Sequence, residues 1–129
     1  MDKYSKKVEI EDEDQLLRRI HPNHWENGRI LSIAFYRGKK PDPEVSVDVK
    51  RLIENIEDFI AEVKARGDGF RIGILQTIDV RNLQFQKTPV EVVHDPEGGS
   101  YSHALIKGAY TKTDCRLLAE AISDYLNFE

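Results

Sequence analysis

The sequence contains very few of the residues that small proteins use as covalent or metal staples. Among 129 residues there is one cysteine, with one methionine and one tryptophan. A single cysteine cannot form an internal disulfide or supply a thiolate-rich zinc site, so an apolar core must stabilise the chain. At this length, folding buries roughly two-thirds of the surface that the unfolded chain exposes, so one core is enough. The scarcity of thiols fits a reducing compartment.

Long apolar runs are also missing. No stretch approaches the ~20 apolar residues that are needed to span a bilayer. Residues 1–7 lack the apolar centre of a secretory signal. We therefore expect a cytoplasmic protein with no membrane partner.

Positive charge is in deficit. The formal net charge is -4 and the isoelectric point is near 5.6. Nucleic-acid binding depends on a clustered positive field, so we do not expect a nucleic acid as partner. Residues 9–14 are almost continuously acidic and a basic segment follows. We expect residues 1–13 to form a flexible acidic lead-in and residues 14–129 a single globular domain.

The first element of the domain is ambiguous in the sequence. Asp14 can cap a short helix over residues 15–20, and the same residues also fit an edge strand over 16–20. Pro22 ends either element, because the residue before a proline is pushed toward extended geometry. Pro22 itself is well placed to open a single turn that reaches Trp25.

The next strong signal is the turn pair Asn27-Gly28. Apolar side chains alternate on both faces over residues 29–36, which predicts a strand covered on both sides. Since neighbouring segments usually pair, we expect this strand to lie beside residues 16–20.

The rest of the chain predicts more strands than helices. Helices are indicated by apolar side chains at three- and four-residue spacing, and strands by alternation. The predicted elements are a loop over 38–43, a strand over 45–47, a helix over 49–66 capped by Asp48, a strand over 70–80, a strand over 90–93, a loop over 94–100, a strand over 102–107 and a helix over 113–126. This order indicates an α+β fold with a mixed, largely antiparallel sheet packed by two main helices.

Eight side chains are candidates for ligand binding. The histidines fall in loops or at strand ends, where a rigid scaffold holds site residues. Arginines and aromatic rings suit phosphate-bearing or base-bearing ligands, and pairing of 29–36 with 16–20 would bring most of this set to one edge. The competing interpretation is a packed tryptophan and solvated arginines. The candidates are Arg19, His21, His24, Trp25, Arg29, Tyr36, His94 and His103.

We predict neither a metal nor a cofactor. The pair His21-x-x-His24 lacks the second ligand pair of zinc motifs. The loop over residues 94–100 precedes a strand and has no lysine where a phosphate cradle needs one. Cys115 lies at the start of a predicted helix, which can lower a thiol pKa, but its place on the apolar face favours a small buried hydrophobe.

Several segments together resemble a known group of proteins. They are Leu16-Leu17-Arg18-Arg19-Ile20, His21-Pro22, Gly28-Arg29-Ile30-Leu31-Ser32-Ile33-Ala34-Phe35, Val45-Ser46-Val47-Asp48, Asp95-Pro96 and His103-Ala104-Leu105-Ile106. They look like the corresponding segments of a widespread group of small uncharacterised bacterial proteins. The resemblance implies a bacterial single-domain protein and carries no particular reaction.

A weaker, fold-level similarity is to ADP-ribosyltransferase-like proteins. In that family an arginine or histidine of the first strand binds the dinucleotide, and later strands carry a tyrosine or serine. By this analogy the positions are Arg18 or Arg19, Tyr36 and Ser46. The chain departs from the family plan because no glutamate stands at a matching catalytic position.

Two functional hypotheses follow from the sequence. The first is a non-catalytic binding module whose partner is a protein, a second copy of the chain or a small molecule, since no catalytic constellation is evident. The alternative is an enzyme that acts on a nucleotide, dinucleotide or nucleic-acid ligand through the arginine, histidine and tyrosine candidates.

Overall fold

The computed structural model describes residues 6–126, which form an α+β fold with a six-stranded antiparallel sheet. The strands are β1 Gln15–Ile20, β2 Trp25–Glu26, β3 Arg29–Ile30, β4 Tyr36–Arg37, β5 Lys40–Pro41, β6 Glu44–Val49, β7 Arg71–Gln76, β8 Glu91–His94, β9 His103–Lys107 and β10 Ile122–Tyr125. The helices are α1 Ile56–Lys64, α2 Thr77–Arg81 and α3 Lys112–Ala121. The large sheet has the order β10-β7-β1-β6-β9-β8, and β2–β3 and β4–β5 are small hairpins. The predicted fold class is confirmed.

The two faces of the sheet pack against different helices. Successive strand residues point to opposite faces, so β1 sends Leu16 and Ile20 to one side and Leu17 to the other. The first side joins the larger apolar core, which includes Cys115 and Leu118 of α3. The second side is a smaller core, made by Leu17, Phe59, Val63, Ile72 and Ile74. Helix α1 therefore covers the second face of the sheet only over β1 and β7.

Residues 15–20 form strand β1, so the prediction of a short helix there is wrong. The alternative prediction of an edge strand is also wrong, because β1 lies between β7 and β6 in the sheet. It pairs with β7 along its whole length, from Gln15 opposite Gln76 to Ile20 opposite Arg71. Leu16, Leu17 and Ile20 are fully buried. Because both faces of β1 are covered, Leu16 and Leu17 are buried at consecutive positions. The sequence of β1 therefore lacks the alternation of apolar and polar residues by which a strand is recognised.

The strand predicted over residues 29–36 does not form. Strand β3 ends at Ile30, a 3-10 turn occupies Ser32–Phe35, and β4 begins at Tyr36. The turn buries Ala34 and Phe35 in the larger core, so their apolar character reflects turn packing and not a strand face. The expected pairing with residues 16–20 is absent from the described residues, because β7 and β6 flank β1 there. The predicted Asn27-Gly28 turn is confirmed, and both of its residues have positive φ.

The helix predicted over residues 49–66 is shorter than expected. Strand β6 extends to Val49, a 3-10 turn follows at Lys50–Leu52, and α1 begins only at Ile56. Its N-cap is Asn55, whose side chain accepts a hydrogen bond from the Asp58 amide. Asp48 is therefore a strand residue and not the predicted cap.

Two other predicted elements end early. Strand β7 stops at Gln76, because the amide and hydroxyl of Thr77 both donate to the Asp14 carbonyl oxygen and start α2. Helix α3 stops at Ala121, and Ile122–Tyr125 then pairs with β7 as the edge strand β10. The strands predicted over 90–93 and 102–107 are confirmed by β8 and β9.

The start of the chain, predicted as a flexible acidic lead-in, is described from residue 6, and residues 1–5 lie outside the described range. Ile10 is only 5% exposed and belongs to the larger core. The Arg81 side chain donates to the Ile10 carbonyl oxygen and also binds the Asp12 carboxylate. Within residues 6–126, no helix has the length and apolar character that crossing a bilayer requires.

Candidate ligand-binding cleft

The cleft begins where strands β1 and β6 separate. They pair only at Leu16–Val49 and Leu17–Asp48, although β6 continues to pair with β9 as far as Glu44. Beyond Leu17 the space between the two strands is filled by the Arg18 side chain. Its Nη1 donates to the Ser46 carbonyl oxygen at 2.7 Å. Its Nη2 donates to the Ala34 carbonyl oxygen at 2.7 Å, so the guanidinium replaces the missing ladder bonds.

The polar floor of the cleft follows from alternation along β6 and β9. Val45, Val47 and Val49 point into the larger core, so Ser46 and Asp48 point to the opposite face. His103 of β9 lies opposite Asp48 in the ladder and shares that face.

Because α1 covers only β1 and β7, this part of the sheet stays open as a cleft of about 780 Å³. Its wall comes from the start of α1 and from the loop before β9. The lining residues are Leu17, Arg18, Arg19, Ser46, Asp48, Leu52, Ile53, Glu54, Asn55, Asp58, Phe59, Glu62, Gly99, Ser100, Tyr101, Ser102 and His103.

Asp48 is the centre of a hydrogen-bonded network on the floor. Its Oδ1 accepts from Ser102 Oγ at 2.8 Å and from Ser100 Oγ at 3.4 Å, and the two hydroxyls are 3.0 Å apart. Its Oδ2 lies 3.7 Å from Arg19 Nη2. This network ties the loop before β9 to the centre of the sheet, and a buried carboxylate needs such partners.

Arg19 spans the cleft from floor to wall. Its Nη1 lies 3.3 Å from Glu62 Oε1, and its guanidinium carbon is 5.0 Å from the centroid of the Phe59 ring. Among residues 6–126, the Arg19 Nε is a buried nitrogen without a hydrogen-bond partner. A donor left unpaired in this way destabilises the protein by about 1–3 kcal/mol, and this donor belongs to a side chain of the cleft.

His103 is fixed through both ring nitrogens. Nδ1 lies 2.9 Å from the Asp95 carbonyl oxygen and 3.3 Å from Asp95 Oδ2. Both neighbours are acceptors, so Nδ1 of the neutral ring carries the proton. Nε2 lies 3.1 Å from Ser46 Oγ and is left to accept the hydroxyl proton.

The wall of the cleft is acidic. Glu54, Asp58 and Glu62 line it, and Asp48 adds a fourth carboxylate on the floor, against the two guanidinium groups of Arg18 and Arg19. Both guanidinium groups are already engaged, Arg18 by main-chain carbonyls and Arg19 by carboxylates. Burial lowers the pKa of Arg18 from its usual value. The cleft therefore offers an anionic ligand little free positive charge.

Of the eight candidate residues, Arg19 and His103 lie in the cleft. Three others form a corner beside the start of β7. The rings of His21 and His24 are 5.4 Å apart, and Trp25 Nε1 donates to the Gly69 carbonyl oxygen at 3.2 Å. The Arg71 guanidinium lies 3.8 Å from the centroid of the Trp25 ring. Burial, the neighbouring His21 and the Arg18 charge lower the pKa of His24.

The remaining candidates are dispersed. Arg29 lines a separate groove with Arg116 and Tyr125. Tyr36 pairs with Pro41 in its hairpin. His94 is buried on the α3 side, where Nδ1 accepts from the Val8 amide and Nε2 donates to the Tyr101 carbonyl oxygen at 2.6 Å. The structure therefore does not bring the eight residues together.

The other polar residues of the cleft were not among the eight candidates: Ser46, which was named only by the analogy with ADP-ribosyltransferase-like proteins, and Asp48, Ser100 and Ser102. Asp95, which holds His103 from outside the lining, was not among them either. One signal for them was present. In the segment Glu44–Val49, valines alternate with polar residues, so one face of that strand is polar although the strand is central. The contribution of the loop before β9 depends on long-range packing and had no such signal.

Neither a metal site nor a reactive thiol is supported. Among residues 6–126, no group of three or more histidine, cysteine, aspartate or glutamate side chains is arranged to hold a metal ion. Cys115 is fully buried in the larger core, as its apolar helix face predicted. Burial raises the pKa of its thiol to about 11.

The chain was compared with protein-family models, curated proteins and solved structures. No protein-family model, curated protein or solved structure matches the chain. Inference about function therefore starts from the geometry of the cleft.

Proposed function

We propose that this chain is a small cytosolic bacterial binding protein whose central cleft takes a small polar molecule. The observation that carries the proposal is the convergence of Ser46, Ser102 and His103 on the open floor. A volume of about 780 Å³ suits a small molecule. Small-molecule sites combine apolar surface with a few fixed polar groups, and here Ile53 and Phe59 supply apolar surface between the carboxylates of the wall.

The charge of the cleft selects the class of ligand. A phosphate group would face the carboxylates of Glu54 and Asp58, while Asp48 and Glu62 are paired with Arg19 and the Arg18 guanidinium is held by main-chain carbonyls. Like charges oppose binding of such a group, so the acidic wall favours a neutral or cationic ligand. This argues against the alternative enzyme that acts on a nucleotide or dinucleotide. Concavity likewise favours a small molecule over a partner protein, whose interface is broad and flatter.

A thermal-shift screen tests the proposal. The panel contains monosaccharides, polyols and primary amines, with ATP and NAD as the anionic comparison. At ten times its Kd, a ligand that binds only the folded state adds about 1.4 kcal/mol. For a domain of this size we expect Tm to rise by about 5 °C. Neutral or cationic compounds should produce this shift, and ATP and NAD should not.

Variants locate the effect. His103→Gln replaces the imidazole that Asp95 and Ser46 hold in place by a flexible amide and should reduce the shift, whereas Ser32→Ala changes a hydroxyl in the separate groove and should keep it. The proposal is wrong if ATP or NAD stabilises the protein more than every neutral or cationic compound. It is equally wrong if the hits stabilise His103→Gln and the wild type to the same extent.

A further inference from the structure

Ser46 and His103 on the cleft floor and Asp95 behind them form a linear chain of hydrogen-bonding groups. Ser46 Oγ is 3.1 Å from His103 Nε2, and His103 Nδ1 is 3.3 Å from Asp95 Oδ2. The order hydroxyl, imidazole, carboxylate is the arrangement in which an imidazole acts as general base toward a serine. In the neutral ring Nδ1 carries the proton, because both of its neighbours are acceptors. Nε2 is therefore unprotonated and can take the hydroxyl proton from Ser46.

The scaffold holds these groups rigidly. Ser46 and His103 lie on adjacent strands, diagonal to each other on one face, within side-chain reach. The Asp95 amide donates to the His103 carbonyl oxygen at 2.8 Å, which fixes the main chain of one to the other. The imidazole is also packed by Gly99, where an added Cβ would come within 3.3 Å of the His103 ring carbon Cγ. The His103 side chain is only 14% exposed.

One donor for a developing oxyanion lies on the same face of the sheet. Continuing the Leu17–Asp48 register two residues along places Arg19 opposite Ser46. The two Nη atoms of Arg19 are engaged by carboxylates, but its Nε has no hydrogen-bond partner among residues 6–126. An unpaired donor of a nearby cation is a group that can stabilise an oxyanion.

From this geometry we infer that Ser46 is the nucleophile of an acyl-transfer reaction, with His103 as its general base and Asp95 as the residue that positions the imidazole. The inference rests on the proposed function, because the reaction uses the same cleft. Its substrate is a small neutral or cationic ester, as the acidic wall requires. The carboxylate released as product is disfavoured by the same wall, which promotes its departure.

The reaction balances without a cofactor or an oxidant. Ser46 Oγ bonds to the ester carbonyl carbon while its proton passes to His103 Nε2. The bond between that carbon and the alkoxy oxygen breaks, and the departing alcohol takes the proton from Nε2. Water then attacks the acyl carbon and gives one proton to Nε2. The bond between that carbon and Ser46 Oγ breaks, Oγ takes the proton from Nε2, and the carboxylic acid leaves.

Covalent labelling of the full chain with diisopropyl fluorophosphate tests this inference without knowledge of the natural ligand. Ser46 Oγ displaces fluoride from phosphorus, and the adduct is read by intact mass and peptide mapping. We expect one adduct on the wild type, located at Ser46, and none on Ser46→Ala. Ser32→Ala is the matched control and should label at the wild-type rate.

The second set of variants separates catalysis from folding. His103→Ala should label about 100-fold more slowly and regain part of the rate when imidazole is added, since imidazole enters the vacated space. Asp95→Asn should slow labelling without changing the melting temperature, because the carboxylate that positions the imidazole is lost. Asp95→Glu restores a carboxylate and should regain part of the labelling rate.

The inference is overturned if the wild type is unlabelled, if the adduct lies elsewhere, or if His103→Ala labels as fast as the wild type. These failures are distinguishable from failure of the proposed function. Neutral ligands that still stabilise the unlabelled wild type would leave the binding site intact and remove only the chemistry.

Discussion

The carboxylate of Asp14 and the guanidinium of Arg51 are joined by two hydrogen bonds, from Nε at 2.7 Å and from Nη2 at 2.9 Å. Arg51 also donates to the Glu9 carbonyl oxygen, and the Asp14 carbonyl oxygen accepts from Thr77. The pair thus connects the segment before β1 with the turn after β6 and the start of α2. Asp14 is 4% exposed, so its charge depends on this partner.

Replacing Asp14 by Asn should destabilise the fold by about 2 kcal/mol, because the Arg51 hydrogen bonds lose their charged acceptor. Urea unfolding measures the change. Asp12→Asn is the control, since the exposed pair of Asp12 with Arg81 is worth less than about 1 kcal/mol. Equal effects of the two substitutions would contradict the role given to Asp14.

The same pair predicts a pH dependence of stability. The Arg51 hydrogen bond lowers the pKa of Asp14 below its usual 3.8, and this outweighs the opposing effect of burial. A carboxyl with a lowered folded-state pKa stabilises fully above the unfolded value and loses that contribution as the pH falls through the folded value. The gap in unfolding free energy between wild type and Asp14→Asn should therefore be constant from pH 7 down to about 5 and shrink below 3.8. A gap that widens in acid would refute this.

Gly69 is required where the turn before β7 meets the corner of the chain. Its φ is +85°, and an added Cβ would lie 2.9 Å from the Pro22 Cβ. Gly69→Ala should destabilise by about 2–3 kcal/mol, of which left-handed backbone accounts for about 1–2 kcal/mol. The fluorescence of Trp25, which donates to the Gly69 carbonyl oxygen, should change as well.

Gly38 is the matched control for that substitution. Its φ is +65° but nothing lies within 4 Å of the added Cβ, so Gly38→Ala should destabilise by only about 1 kcal/mol. If the two variants unfold at the same urea concentration, the Pro22 contact has no energetic consequence.

Cys115 should be unreactive in the folded protein. Burial raises its pKa to about 11, so at pH 8 only about one thiol in a thousand is ionised. Reaction with a chromogenic aromatic disulfide should therefore be slow under native conditions, because the thiol must first be exposed by opening of the fold, and become fast in denaturing urea. Since Cys115 is the only cysteine, the signal has one source. Fast reaction under native conditions would show that the thiol is exposed.

The fold class was predictable because the spacing of apolar residues within several single segments is enough to identify them as strands or helices. The alternation in β6 and β9 and the apolar stripe of α1 identified those segments. The strand predicted over residues 29–36 was wrong because a 3-10 turn that buries Ala34 and Phe35 has the same run of apolar residues as a strand covered on both faces. The end of α3 at Ala121 is set by pairing of the next residues with β7, a contact that local sequence does not encode.

The cleft was predictable only in part. Arg19 and His103 were among the candidates, His103 because the histidines fall in loops or at strand ends and Arg19 because arginines near aromatic rings suit phosphate-bearing or base-bearing ligands. Ser46 and Asp48 share a face by strand alternation, but that face is open only because α1 leaves that half of the sheet uncovered. The meeting of Asp95 with His103 depends on the path of the loop between β8 and β9, which no sequence pattern specified.

Ligand binding in the cleft over β6 and β9 is tested by backbone amide chemical shifts. Acetamide, isopropanol and methylammonium are titrated separately into ¹⁵N-labelled protein. We expect the largest shifts at Ser46, Asp48, Ser102 and His103. If all three probes instead produce their largest shifts in the groove of Arg29 and Tyr125, the cleft is not the binding site.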